Sequence, residues 1–174
     1  MNAHSITAAD IERSIRNVPD FPQPGIQFKD ITPVLADARL FAGAIDLLTA
    51  KFAPGSVDAV VGIDARGFIF AAAAAVRLQA GLVPVRKKGK LPYQTIEQDY
   101  ALEYGNATVA IHTDAIKPGS RVLLVDDLLA TGGTSAAAVA LVQKLGGKIL
   151  EAGFLIELKF LNGREKLAGL PIRS

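Results

Sequence analysis

The sequence predicts an α/β protein, a mostly parallel sheet flanked by helices, in a single domain over residues 1-174. Three observations predict it. Strand-length apolar runs recur along the chain: Ala59 to Ile63, Leu82 to Val85, Arg121 to Val125 and Ile149 to Leu158. These runs are continuous rather than alternating, the mark of parallel strands covered on both faces. Helical patterns lie between them, and 174 residues, 50% hydrophobic and 21% charged, are enough for one buried core and short for two.

Taken in order, Thr7 with Asp10 three residues on resembles a capping box, and Ile11 and Ile15 give the apolar stripe of a short helix expected to end near Val18. Pro19, Pro22, Pro24 and Gly25 forbid regular structure, so Pro19 to Gly25 reads as a loop leading into Ile26 to Ile31. Phe41, Ile45, Leu48 and Phe52 fall on one face of an amphipathic helix that stops at Pro54-Gly55. Phe68 to Leu78 reads as a buried Ala-rich helix. After the strand Arg121 to Val125 come a turn, a helix from about Ser135 to Leu145 closed by Gly146-Gly147, and the last strand. Arg86 to Asn106 breaks this rhythm with a basic cluster, acids, tyrosines and little periodicity. A long structureless insertion in a compact domain is usually a lid or binding loop, so a mobile functional loop is expected there.

Composition excludes several classes of function. Cysteine is absent, which removes disulfides, thiolate metal sites and a cysteine nucleophile. His4 and His112 are too far apart in sequence to suggest a zinc site. Nineteen basic and 17 acidic residues give a net charge of +2, too balanced for general nucleic-acid or membrane attraction. Neither partner is expected, and any anion site must be local. Met1 to Asp20 lacks an apolar signal-peptide core, and the uncharged stretch Gly67 to Val76 is about half a membrane span. The chain reads as soluble and cytoplasmic.

The chemistry concentrates in Val122 to Thr134, an apolar strand ending in Asp126 and Asp127, followed by Leu128-Leu129-Ala130-Thr131-Gly132-Gly133-Thr134 at the opening of a helix. Ligands of open α/β sheets bind beyond the carboxyl ends of the strands. A loop of Ala130, Thr131, Gly132, Gly133 and Thr134 lets backbone N–H groups approach a phosphate, and the helix N-terminus adds partial positive charge. Two carboxylates that accept from vicinal hydroxyls, beside such a cradle, describe a site for a ribose 5-phosphate. A Walker A loop would need Lys where Thr134 stands, and the glycines lack the dinucleotide spacing.

These thirteen residues resemble the phosphoribosyl-pyrophosphate (PRPP) motif of the type I phosphoribosyltransferases. Three further segments narrow the resemblance to the adenine phosphoribosyltransferases: Phe21 to Leu35, Gly62 to Phe68, and Arg86 to Pro92 with Leu102-Glu103-Tyr104-Gly105. Gly163 to Leu167 also looks like that family. The resemblance implies the type I phosphoribosyltransferase fold, with a small base-binding hood from the N-terminal segment and a mobile catalytic loop. It implies transfer of the phosphoribosyl group of PRPP to N9 of adenine, giving AMP and pyrophosphate in purine salvage, and a homodimer. Mg²⁺ is implied as cofactor, held mainly by PRPP or pyrophosphate rather than by a ligand set on the chain.

Carried across residue by residue, Asp126 and Asp127 hold the ribose hydroxyls and Ala130 to Thr134 wrap the 5-phosphate. Asp64-Ala65-Arg66-Gly67 matches the pyrophosphate loop, where the family commonly has a cis peptide between the first two residues, and Arg66 offers bidentate donors to the leaving group. Phe28 stacks on the purine, backbone groups of Gln27 and Lys29 read its edge, and Leu158 closes the other face. Where relatives often carry an apolar residue and Arg, this chain has Gln27 and Lys29. Glu103 is the acid/base candidate, with Tyr104 beside it. Within the cluster Arg86, Lys87, Lys88 and Lys90, the pyrophosphate contacts fall to Lys87 and Lys90. Transferases for 6-oxopurines typically carry Asp where this chain has Ala130, which favours adenine over hypoxanthine or guanine. A PRPP-binding regulator without chemistry is the rival from another class; such proteins usually append a winged helix or lack the base-reading loop.

Overall fold

Thr7 begins the first helix as its pattern requires. Its side chain accepts from Asp10 N, the Asp10 carboxylate accepts from Thr7 N at 2.9 Å, and α1 (Ala8–Ser14) buries Ile11. The helix ends four residues before the expected Val18: Ile15 is already extended, and Arg16–Pro19 forms β1, where the extended backbone that Pro19 imposes on Val18 fits. This strand pairs antiparallel with β2 (Gln27–Asp30), Val18 opposite Phe28, across the proline-rich loop. A short α2 (Thr32–Ala36) and α3 (Ala38–Thr49) follow, the latter capped by Asp37, whose carboxylate accepts from Arg39 N at 2.8 Å and Leu40 N at 3.1 Å. Ile45 and Leu48 are buried as their spacing demands, while Phe52 falls beyond the end of α3. These elements form one compact unit, Met1–Ala50, of the computed structural model, which describes residues 5–101 and 105–174.

The second unit, Lys51–Ser174, is built on the apolar runs. Its elements are β3 (Ala59–Ile63), α4 (Gly67–Leu78), β4 (Gly81–Lys87), β5 (Thr95–Ala101), β6 (Asn106–His112), β7 (Arg121–Leu129), α5 (Gly133–Lys144), β8 (Lys148–Glu157) and β9 (Ile172–Arg173). They make a seven-stranded sheet in the order β5-β6-β4-β3-β7-β8-β9. The pairs β3 with β4, β3 with β7, β7 with β8 and β8 with β9 are parallel, whereas β6 pairs antiparallel with β4 and β5. Every residue of β3 and all of Val122 to Asp127 are buried, the double coverage that continuous apolar strands require. Among the described residues no helix is long and apolar enough to cross a membrane.

Two expectations change. The helix read as buried, α4, buries Phe70, Ala71 and Ala74 on one face only; Val76 is 82% exposed. The stretch Arg86 to Asn106 is not structureless: β4 continues to Lys87, and β5 alternates exposed and half-buried residues along its pairing with β6. That alternation was hidden because Gln98 and Tyr100 are the half-buried positions between exposed Glu97, Asp99 and Ala101, so the period carries little hydrophobic contrast.

Candidate active site

Parallel strands leave their carboxyl ends open, and two neighbours in this sheet end at one cleft. The turn after β3 supplies Asp64, Ala65 and Arg66, and β7 with its following loop supplies Asp126, Asp127, Ala130, Thr131, Gly132, Gly133 and Thr134 around a cavity of about 280 Å³. All ten were predicted from sequence. Ile63, Leu128 and Ser135 also line it and were missed. Ser135 sits one position past the recognised motif, buried in the first turn of α5. The peptide bond between Asp64 and Ala65 is cis, as the resemblance implied.

The two aspartates do not follow β7 but lie within it, since the strand runs on to Leu129. Both are buried, at 9% and 6% exposure. Asp126 Oδ1 accepts from Asp127 N at 2.9 Å, and it fits only because residue 67 is glycine: a Cβ there would overlap that oxygen. Burial, and then the charge of Asp127, hold the Asp126 carboxyl well above the usual carboxylate range. Burial also pushes Asp127 up, and the Arg66 charge offsets this only in part. Arg66 Nη2 lies 2.7 Å from Asp127 Oδ2. The contact lacks hydrogen-bond alignment, so this buried oxygen has no hydrogen-bond donor among the described residues. An unsatisfied buried acceptor costs about 1–3 kcal/mol, and a ligand hydroxyl is the natural group to relieve it.

Beside the acids the backbone turns sharply. Gly132 takes a left-handed conformation, φ +77°, and from it α5 starts, with Gly132 O accepting from Ala136 N at 2.9 Å. The unpaired N–H groups of the first helical turn therefore open at the cleft, which is where an anion gains from both the donors and the helix dipole.

The basic cluster divides. Arg86 Nε donates to Asp64 Oδ2 at 3.1 Å and Arg86 Nη1 to Lys90 O at 3.0 Å, which braces the turn after β3. Lys88 pairs with Glu97 at 2.7 Å. Lys87 and Lys90 are exposed, and neither has an ion pair among the described residues. Glu103 and Tyr104 lie outside the described residues. Tyr100 and Ala101 reach the turn that opens α5: the Ala101 carbonyl oxygen would lie 3.3 Å from a Cβ on Gly133, and Tyr100 Cδ2 3.2 Å.

The remaining predicted residues are on other elements. Gln27, Phe28 and Lys29 form β2 of the first unit, with Phe28 half-buried and edge-on to Phe21 at a centroid distance of 5.0 Å. Leu158 follows β8 in the second unit and is half-buried. Among the described residues no group of three or more His, Cys, Asp or Glu side chains could hold a metal ion. Asp126 and Asp127 in the cleft are oxygen acceptors suited to the water shell of a hard divalent cation.

The sequence profile of the phosphoribosyl transferase domain matches residues 27–166. An adenine phosphoribosyltransferase of Acidothermus cellulolyticus is 57% identical over 160 residues, 92% of this chain and 90% of that one. The crystal structure of adenine phosphoribosyltransferase from Rhodothermus marinus superposes with a TM-score of 0.91 at 52% identity, covering 95% of each chain. The enzyme from Saccharomyces cerevisiae, crystallised with an imino-altritol bisphosphate and adenine, gives a TM-score of 0.89 at 40% identity over 95% of this chain and 96% of its own.

Proposed function

The chain belongs to the adenine phosphoribosyltransferases of the type I phosphoribosyltransferase family, and from that premise we propose that it transfers the phosphoribosyl group of PRPP to N9 of adenine, giving AMP and pyrophosphate in purine salvage. The observation that carries this reading is the buried Asp126–Asp127 pair, one oxygen of which has no hydrogen-bond donor, beside a helix N-terminus at one end of β7. A sugar with vicinal hydroxyls and a terminal phosphate supplies what both halves lack.

In this reading the ribose hydroxyls donate to Asp126 and Asp127, and the 5-phosphate accepts from the N–H groups of Thr131 to Thr134 and from their hydroxyls. The sugar is thereby fixed with its anomeric carbon toward the turn Asp64-Ala65-Arg66-Gly67. The N9 lone pair of adenine forms the bond to that carbon while the bond to the pyrophosphate oxygen breaks, its electron pair leaving with pyrophosphate. Arg66, Lys87 and Lys90 take up the charge that develops on the leaving group, and such preorganised donors are worth most where water is excluded. If bound, Mg²⁺ would be held mainly by the pyrophosphate and would add charge neutralisation, and Asp126 and Asp127 are the acids that would accept from its bound water. Glu103 handles the proton lost from the purine, with Tyr104 beside it, as the lid closes. The resemblance assigns Phe28 to stack on the base, backbone groups of Gln27 and Lys29 to read its edge, and Leu158 to close its other face. Ala130, which lines the cleft, offers no carboxylate for a 6-oxopurine. The whole chain, 1–174, acts as one catalytic domain, in a cytoplasmic homodimer.

Turnover of PRPP with Mg²⁺ against a panel of purines tests the reading. Adenine is expected to give AMP, with little product from hypoxanthine or guanine; comparable kcat/KM for hypoxanthine would sink it, and PRPP binding without turnover of any purine would point to a regulator. Glu103→Gln is expected to lower the single-turnover rate by about 10²–10⁴ with the Kd for PRPP unchanged.

A further inference from the structure

After β8 the chain stays close to the cleft. Leu158 N donates to Leu129 O at 2.9 Å, just past the last pair of the β7–β8 ladder, Leu129 with Glu157. Two 3-10 turns, Lys159–Leu161 and Gly163–Leu167, then carry it back, and Leu167 anchors the second turn in the core. Gly163 ends up against the phosphate loop: a Cβ on it would overlap the Ala130 carbonyl oxygen and lie 3.1 Å from Gly132 N. A Cβ on Gly132 would in turn overlap the Gly163 carbonyl oxygen. Backbone thus packs on backbone, with the Leu129 side chain alongside at 3.1 Å from the Cβ position of Gly163. Gly163 does not line the cleft, so it supports the loop from outside.

One ion pair holds this excursion. Arg164 Nε and Nη2 donate to Glu157 Oε1 and Oε2 at 2.6 and 2.7 Å, a two-pronged contact with fixed geometry. Ser174 Oγ donates to Glu157 Oε2 at 2.6 Å and accepts from Arg164 Nη2 at 2.9 Å. Glu157 is the register partner of Leu129, the residue before Ala130, and Arg164 follows Gly163. The fork therefore ties the strand end from which the phosphate loop departs to the residue that presses on that loop. The Glu157 carboxyl is 7% exposed. Its hydrogen bonds from Arg164 hold it down at about 2, so the pair stays ionised throughout the neutral range.

We infer that Glu157 and Arg164 are positioning residues for the 5-phosphate: by clamping Gly163 onto Ala130 and Gly132 they keep the loop's N–H groups convergent. The inference rests on the proposed reading that this loop takes the phosphate. Neither residue lines the cleft, so each acts through the loop.

The test measures binding of AMP and of adenosine, which lacks the phosphate, by calorimetry on the full chain, well below the melting temperature of each variant. Hydrogen bonds to a charged phosphate are among the strongest a site makes and depend on the convergence of their donors. For Arg164→Ala and Glu157→Gln an AMP Kd about tenfold weaker is therefore expected, with adenosine within about twofold of wild type. Arg164→Lys should recover part of the loss, and the double variant should be no worse than the poorer single one. Ser174→Ala, which keeps both charges, should weaken AMP about twofold to threefold and carries the test if Arg164→Ala does not fold. Equal weakening of AMP and adenosine, or a lower melting temperature with AMP affinity intact, would reduce the fork to a structural tie and overturn the inference. A wild-type protein with no preference for AMP over adenosine would instead reject the phosphate-loop reading itself, and the inference with it.

Discussion

At the start of β7 Arg121 grips Asp58, with contacts of 2.7 Å from Nη2 and 3.1 Å from Nε. Near the other end of the strand Arg66 stands 2.7 Å from Asp127. The residue types and the distances are alike, but the surroundings are opposite. Asp58 is exposed and receives aligned donors from the side chain and backbone of Arg121, which hold its carboxyl down at about 2. Asp127 is buried beside a second buried acid, and burial outweighs its arginine. The first pair fastens the fold. The second keeps charge where the fold alone gains nothing from it, as a binding site does.

The sharpest way to break this comparison is to remove each arginine. Arg66→Ala is expected to lower kcat/KM for PRPP by about 10²–10³, the loss typical of one preorganised donor to a developing anion. Arg121→Ala should leave it within about twofold, and steady-state kinetics on both variants would expose the contrast as false if the losses were equal.

Neutralising the buried acids separates binding from stability. Asp126→Asn and Asp127→Asn should each weaken PRPP by about tenfold to a hundredfold, the worth of a charge-assisted hydrogen bond. The same changes should raise the melting temperature of the unliganded protein by a few degrees, on the order of 1 kcal/mol, because a buried like-charged pair is relieved. Unchanged PRPP affinity by calorimetry would move the sugar site elsewhere; a fall in melting temperature would show that the acids serve the fold.

The pH dependence has opposite signs at the two ends. Asp126 and Asp127 titrate higher in the folded protein than their ordinary 3.8, so the folded state holds protons that the unfolded chain releases. Their contribution is fully present below 3.8 and is lost as pH rises through the raised values. The melting-temperature gain of Asp126→Asn over wild type should accordingly grow with pH above 4. Asp58, lowered from 3.8 to about 2, contributes above 3.8 and loses that contribution as pH falls through 2. Asp58→Asn should cost about 1–2 °C at neutral pH, as expected for an exposed pair, with the deficit closing toward pH 2. Melting curves across the acid range check both signs.

Similar logic explains which parts of the molecule could be read in advance. The strands β3 and β8 were legible to within a residue because continuous apolar runs have few places to go. The turn that lines the cavity was legible because glycine and threonine after paired acids of an apolar strand mark a tight strand-to-helix turn. The lid was misread in part, since β5 shows a weak alternation that only its ladder with β6 reveals. Glu157 and Arg164 were overlooked as a pair. They stand seven residues apart, and a contact across two 3-10 turns leaves no periodic trace.

The sequence alone determined the fold class, the adjacent carboxylates and the glycine turn beside them, because each depends on local patterning: apolar runs, two acids in an apolar strand, a turn that needs glycine. Only the tertiary structure decided the electrical state of those groups and their support. That Asp127 has an oxygen without a hydrogen-bond donor, that Arg66 faces it, and that Gly163 backs the loop all depend on segments far apart in the chain. Burial and Coulomb energies are set by distance in space, and distance along the chain does not encode it.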